Sequence, residues 1–91
     1  MQATKIKMKM NCENSNSVEE IDKIYLIDCQ VPGYYTKSAI YDYLIANPGT
    51  IIVGKYPFPK LIPALSAYGE KYVKSAANNT ERDNLLNLPR E

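Results

Sequence analysis

Apolar and basic residues alternate near the start of the chain, where Ile6, Met8 and Met10 are separated by lysines. This period of two predicts a β-strand over residues 5–10 with one buried and one solvated face. The lysines suit an edge strand, because they discourage pairing with another chain. We expect residues 1–4 to be flexible, and the polar residues 11–20 to form a loop.

Four consecutive apolar residues, 24–27, predict a second strand over residues 21–28 that is covered on both faces and therefore more central. The loop before this strand is too short for a parallel crossover, so the first two strands are expected to form an antiparallel hairpin.

A helix is predicted over residues 37–46, after a turn at residues 29–35 around Pro32. Thr36 can cap its first turn, and the segment Asn47–Gly49 contains the proline and glycine that end helices. A period of 3.6 places four residues on the face expected to pack against the sheet. They are Ala39, Ile40, Tyr43 and Leu44.

Three further strands are predicted over residues 50–56, 61–67 and 71–75. Pro63 restricts the middle one to an edge or a bulge. The resulting order is ββαβββ, an α+β fold in which one helix packs on one face of a small, mostly antiparallel sheet. Residues 1–91 are expected to form a single domain.

The C-terminal tail, residues 76–91, is expected to dock on this domain. It is polar at first and then carries Leu85, Leu86 and Leu88. Burying one leucine side chain contributes about 1.5–3 kcal/mol. Three exposed leucines would forgo that stabilisation, so we expect them to be buried.

The C-terminal third also supports a family resemblance. Residues 71–75 read Lys-Tyr-Val-Lys-Ser, and residues 83–89 read Asp-Asn-Leu-Leu-Asn-Leu-Pro. This pattern resembles the closing signature of a family of small bacterial and phage proteins catalogued as domain of unknown function 3892. The resemblance implies that the tail is an integral part of the fold. It transfers no functional residue, because the family has no established activity, and the turn Tyr56–Pro59 departs from its pattern.

Charge and composition narrow the possible functions. The chain has 11 basic and 10 acidic residues, a net charge of +1, and no histidine. Near neutrality argues against a dedicated nucleic-acid binder or a membrane-surface protein. The absence of histidine removes the commonest general base and transition-metal ligand, so we expect no enzyme activity. Neither a secretory signal nor a membrane span is recognisable, and the expected location is the cytoplasm.

The two cysteines are predicted to be free thiols. Cys12 and Cys29 fall at opposite ends of the predicted hairpin, roughly 20 Å apart at about 3.3 Å per residue. Two cysteines without histidine cannot complete a zinc site, and no spacing gives either thiol a base. The oxygen-rich residues 13–20 lack the glycine of a calcium loop, and the sequon at residues 78–80 lacks a secretory signal. We therefore predict no catalytic residue, no metal site and no cofactor.

Tyrosine is the unusual feature of the composition, with eight tyrosines beside one phenylalanine and no tryptophan. Tyr25, Tyr43 and Tyr72 are expected to fill the core. A second group forms the candidate interaction surface, because aromatic residues are enriched at interfaces. This group comprises Tyr35, Tyr41, Ile45, Tyr56 and Phe58. The alternative is that these residues also pack within one chain.

Two functions follow from this surface. The first is a non-enzymatic protein-interaction module whose partner is another protein or a second copy of the chain. The second is weak binding of single-stranded nucleic acid, in which bases stack on exposed tyrosines beside lysines. The lysines considered for it are Lys37, Lys55, Lys60, Lys71 and Lys74. Charge favours the first function. The sequence identifies neither the partner nor the oligomeric state.

Overall fold

The computed structural model describes residues 1–76 and 83–90, and these ranges contain six strands, one α-helix and two short 3₁₀ turns. The strands are β1 Gln2–Met8, β2 Ile21–Ile27, β3 Gly33–Thr36, β4 Ile52–Val53, β5 Leu61–Leu65 and β6 Lys71–Ser75. The helix, α1, is Lys37–Ala46, and the 3₁₀ turns are Val18–Glu20 and Asn84–Asn87. The prediction of an α+β fold with a single helix is confirmed.

The strands form two sheets rather than one. A four-stranded sheet has the order β3-β2-β1-β4, and β5 pairs with β6 in a separate antiparallel hairpin. β1 and β2 are antiparallel, as predicted, whereas β4 lies parallel to β1. The parallel pairing arises because α1 carries the chain across the sheet, from β3 at one edge to β4 at the other.

Strand β3 occupies a segment that was predicted to be a turn. The Pro32-Gly33 pair is typical of a turn, and the prediction extended that turn into the residues that follow. Those residues, Tyr34, Tyr35 and Thr36, have high strand propensity. The pairing of Tyr35 with Ile24 fixes their register along β2. The order predicted from sequence therefore lacked one strand.

Several strand boundaries also differ from the prediction. Gln2 to Thr4, which were expected to be flexible, lie in β1, and Ala3 is fully buried. The strand predicted over residues 50–56 is reduced to Ile52–Val53, because the chain turns immediately afterwards. Phe58 adopts a positive φ of 58° within this turn.

The helix has its predicted bounds but is rotated relative to the predicted face. Ile40 and Leu44 are buried as expected, whereas Ala39 and Tyr43 are exposed. Tyr41, which was predicted to belong to the candidate interaction surface, is half-buried against the core. The rotation follows from the second sheet, because α1 packs against β5 and β6 as well as against β2 and β3.

The described part of the tail packs into the core. Leu85, Leu86 and Leu88 are all buried. The backbone N–H of Ile6 donates to the carbonyl of Pro89 at 2.9 Å, so the end of the tail runs beside β1. Residues 77–82, which include the whole sequon at residues 78–80, lie outside the described residues.

Candidate binding groove

An open, mostly apolar groove of about 690 Å³ lies between α1 and the core face of the four-stranded sheet. It lies at the end of the sheet where β2 ends and β1 begins. Most of its lining is apolar, as expected of a binding site rather than a solvated crevice. The lining includes Met1, Leu26, Val31, Tyr35, Ile40 and Ile51.

One wall of the groove is the connection between β2 and β3. Asp28 takes a positive φ of 58° and ends β2. The Cys29 thiol then lies 3.4 Å from the carbonyl oxygen of Val31, and the Tyr35 hydroxyl donates to that same carbonyl. These two contacts hold the loop in place, so the wall is ordered before any ligand binds.

The opposite wall is the exposed flank of α1. Ala39 is small and leaves space beside the buried Ile40, while Tyr43, 39% exposed, stands at the mouth. The N-terminal ammonium of Met1 donates to the Thr50 carbonyl at 3.2 Å on a further part of the rim. Ala39 and Tyr43 were predicted to pack against the sheet. The rotation of α1 places them on the wall of the groove instead.

Charged groups are scarce along the groove. The carboxylate of Asp28 and the Met1 ammonium are the ionic groups of its described lining. The apolar interior suits a ligand that offers apolar or aromatic groups, and the Asp28 carboxylate can pair with a cation next to them, since the Met1 ammonium donates to the Thr50 carbonyl.

A projecting aromatic turn stands apart from this groove. Tyr56 is 83% exposed and Phe58 is 49% exposed, and their ring centroids lie 6.2 Å apart in an edge-to-face arrangement. The buried Asn84 amide donates to the carbonyls of Lys55 and Tyr56, at 3.4 and 3.2 Å. The tail thus holds the base of the turn while its aromatic rings extend into solvent. We call residues 55–59 the aromatic turn.

The five residues of the predicted interaction surface do not form one patch of exposed rings. Tyr56 and Phe58 contact each other on the aromatic turn, and Ile45 is 60% exposed on α1. Tyr35 lines the groove, and Tyr41 is half-buried with the Lys71 ammonium 5.4 Å from its ring centroid. Sequence reasoning missed Val31, Ala39 and Tyr43 as groove residues, since only the packing of α1 brings them together.

Two of the lysines considered for nucleic-acid binding are engaged within the chain. The Lys37 ammonium is buried and donates to the Glu19 carbonyl at 2.6 Å and to the Glu70 carboxylate at 2.9 Å. Lys71 pairs with Asp42 at 2.7 Å. Lys37 is therefore poorly placed to bind phosphate, whereas Lys71 is exposed and held by a surface ion pair.

The thiols are free, as the sequence predicted. The Cys12 thiol donates to the Glu20 carboxylate at 2.9 Å, and this hydrogen bond, together with burial, raises the pKa of Cys12. The same hydrogen bond, with a second from Ser15, lowers the pKa of Glu20. Cys12 is therefore held as the protonated thiol. Within residues 1–76 and 83–90, no group of three or more candidate ligand side chains could hold a metal ion.

Comparison with known proteins places the chain in a family. In the described ranges, no helix is long and apolar enough to cross a membrane. No curated protein and no solved structure matches the chain. A family model described as "Protein of unknown function (DUF3892)" matches residues 2–89. The chain therefore belongs to the DUF3892 family of proteins of unknown function.

Proposed function

We propose that this chain is a non-enzymatic protein-interaction module that associates with itself. In this proposal the aromatic turn of one copy enters the groove of a second copy. The observation that carries it is that one chain has both an open apolar groove and, among residues outside the groove lining, a projecting pair of aromatic rings. The groove can bury the exposed rings, and the rings can fill the apolar groove.

The sizes of the two parts support this pairing. Sites that bind small ligands or side chains commonly have volumes of about 300–1,000 Å³, which includes the volume of this groove. Two aromatic side chains present about 150–250 Å² of surface each, most of which the groove walls could cover. Tyr35 and Tyr43 on those walls offer edge-to-face partners for the incoming rings.

Charge and rigidity support the pairing further. Lys55 directly precedes Tyr56, so a turn inserted in the groove would bring an ammonium group towards the Asp28 carboxylate at the rim. Pro57 and Pro59 restrict the turn, which reduces the conformational entropy lost on binding. The net charge of +1 opposes association only weakly.

Two-fold symmetry would form this contact twice. If two copies exchange turns, each turn occupies the partner's groove, and the assembly closes as a dimer. The four inserted rings present about 150–250 Å² of surface each, which together is less than the roughly 1,200 Å² that stable interfaces bury. We therefore expect a weak dimer whose population rises with concentration.

The non-enzymatic part of the proposal rests on the chemistry of the side chains. The chain has no histidine to act as a base near neutral pH. The Cys29 thiol faces carbonyl oxygens, and the raised pKa of Cys12 disfavours its thiolate. Two free thiols suit a reducing compartment, so we place the protein in the cytoplasm.

Sedimentation equilibrium of the full chain tests the proposal. We expect the average mass to rise with concentration for the wild type and to stay monomeric for Tyr56→Ser with Phe58→Asn. Asparagine tolerates the positive φ of Phe58, so this double variant keeps the backbone while losing both rings. Ala39→Trp should give the same result by filling the groove.

Matched controls separate the proposed contact from general loss of apolar surface. Tyr68 is 99% exposed and lies between β5 and β6, so Tyr68→Ser removes an exposed ring from elsewhere. Ala46→Trp enlarges an exposed helix residue outside the groove lining. Both controls should dimerise like the wild type. A wild type that stays monomeric at every concentration would refute self-association.

A further inference from the structure

The four-stranded sheet has a second face, opposite the core, whose side chains form regular rows across β1, β2 and β3. One row is Lys5, Tyr25 and Tyr34, and the next is Lys7, Lys23 and Thr36. The residues directly opposite one another in these rows share a face, since side chains alternate along a strand. All six are exposed or half-buried, in contrast to the buried residues of the core face. We call this surface the outer face.

Lys7 and Lys23 are the least expected pair on the outer face. They are direct cross-strand partners, an arrangement that places two positive charges side by side and destabilises a sheet. Neither has an ion-pair partner among the carboxylates of the described residues. With Lys5 two residues from Lys7 on the same strand, the outer face carries a cluster of three ammonium groups. Bound anionic groups would relieve the repulsion between Lys7 and Lys23.

Aromatic rings adjoin this cluster. Tyr25 and Tyr34 meet edge-to-face with centroids 5.0 Å apart, and the Lys5 ammonium lies 5.1 Å from the Tyr25 ring centroid. Tyr25 was predicted to be a core residue, and its position on the outer face follows from its pairing with Lys5. Rings beside ammonium groups on an open sheet are suited to a ligand that alternates flat bases with phosphates.

We propose that the outer face binds single-stranded nucleic acid. Lys7 and Lys23 contact successive phosphates, and a base stacks on Tyr25 when the flexible Lys5 side chain moves from the ring to a phosphate. Single-stranded nucleic acid complements both parts of this face, because its phosphates match the lysines and its bases can stack on the adjacent ring. This site is on the opposite side of the sheet from the groove, so it is independent of the self-association proposed above.

Fluorescence anisotropy with a fluorescein-labelled oligothymidylate tests this proposal on the full chain. The wild type should bind more weakly as salt rises, because phosphate contacts release counterions. Lys7→Gln with Lys23→Gln should make the slope of log affinity against log salt shallower by about 1.4, which is about 0.7 for each lost phosphate contact on a single strand. Tyr25→Leu keeps an apolar side chain but removes the ring, and should weaken binding about fivefold or more.

A matched pair of lysine changes provides the control. Lys60→Gln with Lys74→Gln removes the same charge from exposed residues outside the rows of the outer face, and should leave the salt slope as in the wild type. Circular dichroism and melting temperature confirm that each variant is folded. The proposal is overturned if the wild type gives no anisotropy change, or if the control pair weakens binding as much as the Lys7 and Lys23 pair. It is also overturned if Tyr25→Leu binds like the wild type, because the face would then attract any polyanion without stacking.

Discussion

Glu70 joins three parts of the chain through its carboxylate. It lies in the turn between β5 and β6 and accepts from Lys37 on α1 at 2.9 Å and from Lys9 after β1 at 3.2 Å. The hydrogen bond from Lys37, followed by that from Lys9, lowers the pKa of Glu70. Because Lys37 is buried, this carboxylate is what balances its charge away from bulk water.

Replacing Glu70 with Gln should lower the free energy of unfolding at pH 7. It should also make that free energy depend less on pH in the acidic range. A carboxyl whose pKa is lower in the folded state stabilises the protein fully above its unfolded pKa of about 4.3, and this stabilisation disappears as the pH falls through the folded pKa. Urea unfolding between neutral and acidic pH measures the effect. Glu13→Gln, which changes an exposed carboxylate, should follow the wild-type pH profile. Identical profiles for Glu70→Gln and the wild type would contradict this account.

Cys12 offers a second prediction for a single residue. Glu20→Gln removes the charged acceptor of the Cys12 thiol, so the pKa of Cys12 should fall and its alkylation by iodoacetamide near pH 8 should accelerate. Mass spectrometry of the Cys12 peptide follows the rate. Glu19→Gln changes the neighbouring carboxylate and should leave the rate unchanged. A slower reaction in Glu20→Gln would show that Glu20 activates the thiol instead.

At the level of elements, local signals were enough for some predictions and not for others. The bounds of α1 were predictable because its cap is local: the Thr36 hydroxyl accepts from the Ala39 N–H at 3.2 Å. The parallel pairing of β4 with β1 was not, because it joins residues about fifty positions apart. The buried face of α1 was missed for a similar reason, since β5 and β6 form a second packing surface. Most groove residues could therefore not be predicted from the sequence, although Tyr35 was predicted to belong to the candidate interaction surface.

The C-terminal element gives a prediction about stability. Leu85 is fully buried beside β1 and β6, so Leu85→Ala should lower the free energy of unfolding by about 2–5 kcal/mol through lost burial and a cavity. Asn87→Ala, at an exposed position of the same 3₁₀ turn, should cost far less. Urea unfolding of both variants measures the difference. Equal and small effects would mean that the tail contributes little to the fold.

At the scale of the whole molecule, the two proposed sites use opposite sides of one sheet. The core side, closed by α1, leaves a groove at one end, and the outer face presents lysines and tyrosines. The exposed aromatic turn was predictable, because Tyr56 and Phe58 alternate with prolines that favour irregular, exposed backbone. The groove and the outer face could not be predicted in this way, because they depend on the strand register and on the rotation of α1. Composition and periodicity give neither of these.

The most direct test of self-association mixes two variants that each lack one half of the contact. Ala39→Trp keeps the aromatic turn but fills the groove, and Tyr56→Ser with Phe58→Asn keeps the groove but lacks the rings. Sedimentation velocity should show each variant alone as a monomer. Their equimolar mixture should form a heterodimer through one intact turn-in-groove contact, more weakly than the wild type. A mixture that remains monomeric even at concentrations where the wild type is almost entirely dimeric would contradict the proposed contact.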